Sequence, residues 1–250
     1  MKISAISDIH SNVYALDAVL SDINKQGVDL CVNLGDILYG PIAPQATYEL
    51  LMQHELITIK GNQDRQIYQA LQTDIDSNST LAFILQDLGA EALQWMQSLP
   101  ASLQLNEQVF LCHGTPTNDL IYLLENIESG HALLRSDTDI IKLLDGETSQ
   151  VILCGHSHQP RTVLTSSQQL IINPGSVGLP AYNDDEPRPH SIENFSPHAS
   201  YCILEKSKGA WHVQNRKIAY QHHKAASDAL RRNRNDWAHY LTTGRSLSGL

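Results

Sequence analysis

The sequence predicts an α/β fold in which a second sheet is stacked on a parallel one, and two patterns predict it. Over the first 60 residues, short apolar runs alternate with helical periodicity, which is typical of parallel strands joined by right-handed crossovers. After residue 160, short apolar runs follow one another with turns between them, which favours antiparallel strands and a second packed sheet. A chain of 250 residues with 42% hydrophobic residues can fill one large α/β core.

The first half repeats a strand, a polar turn and a helix. Asn12 is a suitable N-cap for the first helix, Leu16 and Leu20 lie on its apolar stripe, and Gly27 is a suitable terminator. The predicted strands cover residues 2–7, 30–34 and 56–59, and the second helix covers 44–54. This order predicts three parallel strands whose carboxyl ends meet at one edge of the sheet.

The second half contains a helical region and then several short strands. Residues 65–100 are mostly helical in pattern, with a polar loop at 72–80, and predict a small cap beside the site. The later predicted elements are strands at 109–112, 151–154, 161–165, 170–173, 200–205 and 211–217, helices at 118–127, 130–145 and 222–242, and a long loop at 183–197. No long linker occurs, so we expect one domain over 1–220 and a C-terminal helix and tail over 221–250, with Leu230, Trp237 and Leu241 on one helix face.

Composition excludes several classes of function. The formal charge of -10 argues against binding of bulk nucleic acid or an anionic membrane surface. No apolar stretch approaches the ~20 residues of a membrane span, and no leader pattern precedes the first strand, so we expect a cytoplasmic protein. The four cysteines lie in apolar runs, which predicts buried, reduced thiols. The segment after residue 215 is basic, and it either contacts RNA or an acidic partner or docks on the acidic body.

Metal-binding side chains follow five of the apolar runs. The segments are Asp8-Ile9-His10, Gly35-Asp36, Gly61-Asn62-Gln63-Asp64, Cys112-His113-Gly114 and Gly155-His156-Ser157-His158. Together they offer two Asp, one Asn and four His as ligands, a number and type that suit two borderline divalent ions. A pair of such ions can clamp an in-line displacement at phosphorus and activate the attacking water. The residues therefore predict a two-metal phosphoesterase.

The same segments, in this order and spacing, resemble the calcineurin-like metallophosphoesterase superfamily. Further resemblance to its small bacterial and archaeal predicted phosphodiesterases is carried by residues 35–41, 113–116 and 173–178. The resemblance implies two stacked mixed sheets flanked by helices, a four-layer αββα sandwich. It also implies three ligand roles: Asp8, His10 and His158 on one ion, Asn62, His113 and His156 on the other, and Asp36 between them.

The chain departs from the family pattern at two places. Gln63 replaces a His that many members use on the leaving group, and an amide cannot deliver a proton, which predicts a preference for acidic leaving groups. Leu38-Tyr39 replaces an Asp-Arg pair of the protein phosphatases, which argues against phosphoprotein substrates. Asp64 either orients a neighbouring group of the site or pairs with Arg65.

Candidate substrate-binding residues are Asn62, Tyr39 and Arg161. Tyr39 either lines the pocket or only packs its loop, and Arg161 either touches substrate or lies at the surface.

The leading hypothesis is a phosphodiesterase or phosphatase that acts on small phosphorylated molecules or nucleotides. A close variant is hydrolysis of dinucleoside polyphosphates, and the alternative from another class is a non-catalytic scaffold that keeps the fold. Nitrogen and oxygen ligands suit Mn, Fe, Zn, Ni or Co as the two ions. Nothing in the sequence indicates an oligomeric state.

Overall fold

Two five-stranded mixed sheets form the centre of the molecule. The computed structural model describes residues 1–247. The first sheet contains, in spatial order, β14 (Ala210–Ile218), β13 (Ala199–Ser207), β1 (Lys2–Ile6), β2 (Leu30–Asn33) and β3 (Leu56–Thr58). The strands β1, β2 and β3 are parallel, as their alternation with helices predicts, and β13 and β14 extend the sheet as an antiparallel pair.

The second sheet is also mixed. Its strands, in spatial order, are β4 (Ser102–Asn106), β5 (Val109–Cys112), β8 (Val151–Leu153), β10 (Leu170–Asn173) and β9 (Arg161–Leu164). The prediction that residues 200–217 belong to this sheet is wrong. Their strands join the first sheet because β13 pairs with β1 in the register Ala5↔Cys202, a pairing across almost the whole chain.

The two sheets pack face to face over a continuous apolar core. Residues such as Ile3 and Val32 from one sheet meet Leu111 and Leu153 from the other, and all four are fully buried. Each outer face is covered by helices. The helices of the first half cover one face, and α7 (Asp137–Leu143) packs through Ile140 and Leu144 on the other. The expected arrangement of two stacked sheets flanked by helices is confirmed.

Helices α1 (Val13–Ile23) and α2 (Pro44–Leu51) connect the parallel strands. The Asn12 side chain caps α1 by accepting from the backbone N–H of Ala15 at 3.2 Å, as predicted. The helix ends earlier than Gly27, which lies in the following turn with φ 61°. The four cysteines are buried and unpaired, as expected from their apolar surroundings.

The region after β3 is helical throughout. It contains α3 (Asn62–Tyr68), α4 (Gln72–Ser77), α5 (Ser79–Asp87) and α6 (Ala90–Ser98). The predicted loop at 72–80 is wrong because Asp74 accepts from the backbone N–H of Leu71 and Asn78 caps α5 through the N–H of Leu81. Polar residues therefore cap two short helices here.

Three further predictions between residues 118 and 197 need correction. No helix covers 118–127, where the chain runs irregularly into β6 (Glu125–Asn126). The helix predicted at 130–145 is shortened to α7, since residues 133–134 form β7 (Leu133–Leu134) and pair with β6. The loop at 183–197 contains most of a hairpin, β11 (Ala181–Asp184) and β12 (His190–Glu193).

The C-terminal segment forms two helices instead of the single helix predicted at 222–242. They are α8 (His222–Arg231) and α9 (Asn235–Thr243), and the chain turns between them at Asn233 with φ 60°. Trp237 and Leu241 are buried against the body, whereas Leu230 is 52% exposed, so the three do not share a buried face. The last three residues of the predicted 221–250 segment lie outside the described residues. Within residues 1–247, no helix combines the length and the apolar run that crossing a membrane requires.

Candidate metal centre

The seven predicted metal ligands converge at the carboxyl ends of strands from both sheets. Asp8, His10 and His158 form one group of potential ligand atoms that lie within 4.8 Å of one another. Asp36, His113 and His156 form a second group that meets the same limit. The seventh side chain, Asn62, places its Oδ1 atom 3.1 Å from His113 Nε2. Side chains scattered over 150 positions of the sequence thus surround one site.

Backbone carbonyls fix the orientation of three of the four imidazoles. The Nδ1–carbonyl distances are 3.0 Å from His10 to Tyr39, 2.8 Å from His113 to Leu34 and 2.7 Å from His158 to Leu179. A carbonyl oxygen can only accept, so each Nδ1 carries a proton and each Nε2 points into the site. This arrangement is typical of metal-binding histidines, whose other ring nitrogen is held by a carbonyl or carboxylate.

The His10 and His158 rings supply a direct test of whether a metal ion fits. Their Nε2 atoms lie 3.0 Å apart, and with both Nδ1 atoms protonated two lone pairs face each other. Burial lowers the pKa of His10 to about 4, so His10 Nε2 carries no proton at neutral pH. Two nitrogen ligands, each about 2.0–2.1 Å from one ion, lie about 3 Å apart at a right angle. The pair therefore fits a divalent cation.

The two carboxylates complete the donor set. Asp8 Oδ1 lies 3.4 Å from His158 Nε2 and, within residues 1–247, has no hydrogen-bond partner although it is buried. Asp36 accepts from the backbone N–H of Gln63 at 2.9 Å, and its Oδ2 lies 3.4 Å from His113 Nε2. Burial alone would raise the pKa of Asp36, but the adjacent imidazoles hold it below the usual range. Asp36 is thus a buried, ionised carboxylate, and the nearby Asp8 Oδ1 has no hydrogen-bond partner within residues 1–247. Both features point to cation binding.

Two histidines of the site, His10 and His156, form no ion pair with a carboxylate among the described residues, and the pKa of each is lowered. Burial lowers the pKa of His156 to about 4, so its imidazole is neutral at pH 7 and can act as a ligand. Burial would also lower the pKa of His113, but the charge of Asp36 outweighs it and raises the value to about 10. An ion bound by Asp36 would displace that proton, because metal binding requires the neutral ring.

The backbone is strained at most of the candidate ligands. Five of the seven have a positive φ, namely Asp8 (55°), His10 (50°), Asp36 (54°), His156 (68°) and His158 (55°). Left-handed backbone at a residue other than Gly costs of order 1 kcal/mol or more, and such residues concentrate at functional sites. The strained residues are the candidate ligands themselves, which supports a functional role for their loops.

Asp64 joins the two loops that carry Asp36 and Asn62. Its carboxylate accepts three backbone N–H groups, from Asp36 at 2.9 Å, Ile37 at 2.8 Å and Gly61 at 2.9 Å. Burial and the charge of Asp36 raise the pKa of Asp64 to about 7, whereas the three donors favour the ionised form. Arg65 pairs instead with Asp119 at 2.8 Å. Of the two readings of Asp64, the structure therefore supports the orienting role.

Gly61 allows the two loops to approach each other. A Cβ atom at this position would lie 2.1 Å from Asp36 Oδ1. We expect Gly61→Ala to displace the Asp36 carboxylate and to lower bound metal, measured by elemental analysis after reconstitution, to one ion per chain or fewer. Gly89→Ala is the matched control, since its Cβ would meet nothing nearer than 3.9 Å. Equal metal content in the two variants would contradict the prediction.

The segment from Asn173 to Gly178, singled out by the resemblance, supports the ligand loops from behind. Ser176 Oγ and the N–H of Gly178 both donate to the carbonyl of Asp8, at 2.8 Å and 3.0 Å. The Asn173 amide donates to the carbonyl of Gly155 at 2.8 Å. These residues do not reach the site themselves but fix the positions of residues that do.

The predicted substrate-contacting residues have different outcomes. Asn62, Gln63 and Tyr39 line the cavity at the metal centre, and Tyr39 also holds His10 through its carbonyl and bonds Asn78 through its hydroxyl. Arg161 does not line this cavity. Its Nε donates to the buried Glu125 at 2.7 Å, so the predicted contact between Arg161 and substrate is not supported.

The cavity beside the metal centre has a volume of about 250 Å³, and sequence reasoning missed most of its wall. The additional lining residues are Tyr122, Leu179, Tyr182, Asn183, Asp184, Arg234, Asp236, Trp237 and Tyr240. Most come from the hairpin and from α9, and Tyr122, Leu179 and Arg234 lie in irregular segments. The positions of all of them beside the site depend on tertiary packing. The basic composition of the C-terminal segment was the one signal that could have drawn attention to Arg234.

A second, more apolar cavity adjoins the first. It has a volume of about 360 Å³ and shares Asn62, Tyr122, His156 and Asp184 with it. Its remaining lining residues are Leu120, Ile121, Ile127, Arg135, Glu186 and Pro187. The two cavities therefore form a cleft with two arms that meet at candidate ligands Asn62 and His156.

Comparison with known proteins agrees with this geometry. The model of the calcineurin-like phosphoesterase superfamily domain matches residues 1–205. The chain is 25% identical over 247 residues to an uncharacterized protein of Methanocaldococcus jannaschii, covering 94% of each. It is 28% identical over 190 residues to the phosphodiesterase YfcE of Escherichia coli, covering 72% of this chain and 81% of the relative.

Among solved structures, a metallophosphoesterase from Sphaerobacter thermophilus has the same fold. It superposes with a TM-score of 0.73 at 23% identity, over 98% of this chain and 99% of that protein.

Proposed function

The chain belongs to the calcineurin-like phosphoesterase superfamily, and from this premise we propose that it is a two-metal hydrolase of small phosphodiesters. The observation that carries the proposal is the His10–His158 pair, whose Nε2 atoms face each other at 3.0 Å with both Nδ1 atoms directed at carbonyls. A divalent cation held by both Nε2 atoms would stabilise that arrangement.

The donor set divides between two ions. Asp8, His10 and His158 would hold one, and Asn62, His113 and His156 would hold the other, with Asp36 between the two groups. Two divalent ions in such a site supply charge stabilisation to a phosphoryl group and an activated water. The protein's own contribution is to hold the donors rigidly, since the loops are fixed by backbone hydrogen bonds and carry the strain described above.

Gln63 restricts the leaving groups that the site can serve. Its side chain lines the cavity, and its Oε1 atom is buried without a partner among residues 1–247. The amide can donate a hydrogen bond to a departing oxygen but cannot protonate it. General acid catalysis is worth about 10²–10⁴-fold, so esters of acidic alcohols should react best.

The two-armed cleft favours diesters over monoesters. A phosphodiester carries two substituents, and the arms extend in two directions from Asn62 and His156. One arm has polar and aromatic walls and the other is mostly apolar, so the two substituents need not be alike. Volumes of about 250 and 360 Å³ suit small molecules or nucleotides and exclude a folded protein segment.

The test is reconstitution of chelated protein with Mn, Fe, Zn, Ni or Co in turn. We expect two bound ions per chain and hydrolysis of bis(p-nitrophenyl) phosphate that exceeds hydrolysis of p-nitrophenyl phosphate. Diadenosine tetraphosphate serves as the probe for dinucleoside polyphosphate hydrolysis. Metal binding without turnover of any of the three would favour the scaffold hypothesis, and a chain that binds no metal would end the proposal.

A further inference from the structure

The C-terminal helices bring one strong cation to the cavity of the metal centre. Arg234 precedes α9, and it is the one Arg or Lys among the residues of 1–247 that line this cavity. The superfamily domain match ends at residue 205, so this guanidinium comes from outside it. It also stands in a chain that has Leu38-Tyr39 where protein phosphatases carry a phosphate-binding Arg.

Arg234 lies in the wall of the same cavity but is not bound to the metal ligands. Trp237 packs against both, with its indole centroid 5.9 Å from the His10 ring and 5.4 Å from the guanidinium carbon of Arg234. Within residues 1–247, the hydrogen-bond partners of the guanidinium are Asp236 and Thr80, and neither is a candidate ligand. Arg234 is therefore free to serve a different part of the substrate from the phosphate at the metal centre.

The guanidinium is held in place with donors to spare. Asp236 accepts from Nε at 2.9 Å and from Nη2 at 2.6 Å, and Thr80 on α5 accepts from Nη1. Of the five N–H donors of Arg, three are used by these partners within residues 1–247. The plane is thus fixed by two elements, and two N–H groups remain. The side chain is 26% exposed, so a ligand in the cavity can reach it.

We propose that Arg234 binds a second anionic group of the substrate, such as a phosphate or carboxylate, at the wall of the cavity where α9 begins. This inference rests on the proposed function and narrows it to phosphodiesters that carry another negative charge. Charge-assisted hydrogen bonds from a preorganised guanidinium favour such oxygens over a neutral group. Asp236 positions the guanidinium through its Nε edge.

A matched pair of substrates tests the proposal. Thymidine 5′-(p-nitrophenyl phosphate) has one anion, and the same ester with a 3′-phosphate has two, while the bond that breaks is identical. We expect the reconstituted protein to show a KM about tenfold lower for the 3′-phosphorylated ester, since a charge-assisted contact is typically worth that factor. In Arg234→Gln the KM ratio should fall to about one.

Controls separate this role from a structural one. Arg232→Gln removes the same charge from the same turn, but Arg232 packs on Phe83 away from the cavity, so the variant should keep the wild-type ratio. A merely structural role of Arg234 would change both esters equally, and a wild-type ratio of one would overturn the proposal. If neither ester is hydrolysed, the proposed function fails, and calorimetric titration decides the role of Arg234 with thymidine 3′,5′-bisphosphate and thymidine 5′-phosphate as probes. Equal affinity for the two would overturn it.

Discussion

Replacing Asp36 with Asn is expected to lower phosphodiester hydrolysis by about 10³-fold, because the ions' stabilisation of transition-state charge is worth several kcal/mol and each 1.36 kcal/mol is tenfold. Asp36 is buried in the second ligand group, and its Oδ2 lies 3.4 Å from His113 Nε2. An Asn amide keeps an oxygen for the Gln63 N–H but turns a neutral nitrogen or oxygen toward the ions. The measurement is kcat for bis(p-nitrophenyl) phosphate with elemental analysis of bound metal.

The fold should survive this substitution. Asn tolerates the left-handed backbone that Asp36 adopts at φ 54°, and it has the same shape. Asp17→Asn is the control, since it removes the same charge from an exposed position on α1 and should leave both activity and metal content unchanged. An Asp36→Asn protein that retains two ions and full activity would remove Asp36 from the centre.

The convergence of the ligand segments was predictable because it depends on local pattern. Each ligand stands directly after a short apolar run, and strand ends of parallel sheets meet at one edge. Asp8 after β1 and Asp36 after β2 therefore come together once the strands are recognised, and His113 after β5 reaches them from the second sheet. The residues between strands, such as Gln63, are placed by the same argument.

The wall of the cavity was not predictable, because it depends on pairings across the chain. The sheet that receives β13 is decided by its contact with β1, about 200 residues earlier, and no local pattern reports that choice. The break at Asn233 turns one periodic segment into two helices and brings Trp237 beside His10. Apolar periodicity predicted that Trp237 is buried, but it did not predict that Trp237 packs against His10.

The predictions for residues 118–127 and for Arg161 were wrong for a related reason. Residues 118–127 have a helix-like apolar pattern, yet Leu123 and Leu124 are buried by packing on β5 and β8 and not by a helix of their own. Arg161 was placed near the site by sequence distance alone. In the structure Arg161 instead forms an ion pair with Glu125, a buried carboxylate whose position the pattern of residue types does not reveal.

Replacing Asp64 with Asn is expected to weaken metal binding by about 10–100-fold, the usual cost of removing a residue that orients metal ligands. Asp64 accepts from the N–H groups of Asp36, Ile37 and Gly61, so one carboxylate fixes both the loop of Asp36 and the loop of Asn62. An Asn side chain has one accepting oxygen, and its NH₂ group would face at least one of these donors. Both loops should therefore loosen while the ligands themselves remain.

Activity measured against metal concentration distinguishes this positioning role from a catalytic one. In Asp64→Asn the midpoint of the metal titration should rise, and most of the wild-type kcat should return at saturating metal, because Asp64 neither belongs to the two ligand groups nor lines the cavity. Asp119→Asn is the matched control: it removes the partner of Arg65, a partly exposed ion pair worth about 0–1 kcal/mol, and should leave the midpoint unchanged. A low kcat at saturating metal in Asp64→Asn would instead indicate a catalytic role for Asp64. If the substitution only loosened the loops, the weakened metal site would fill again at high metal concentration and kcat would recover.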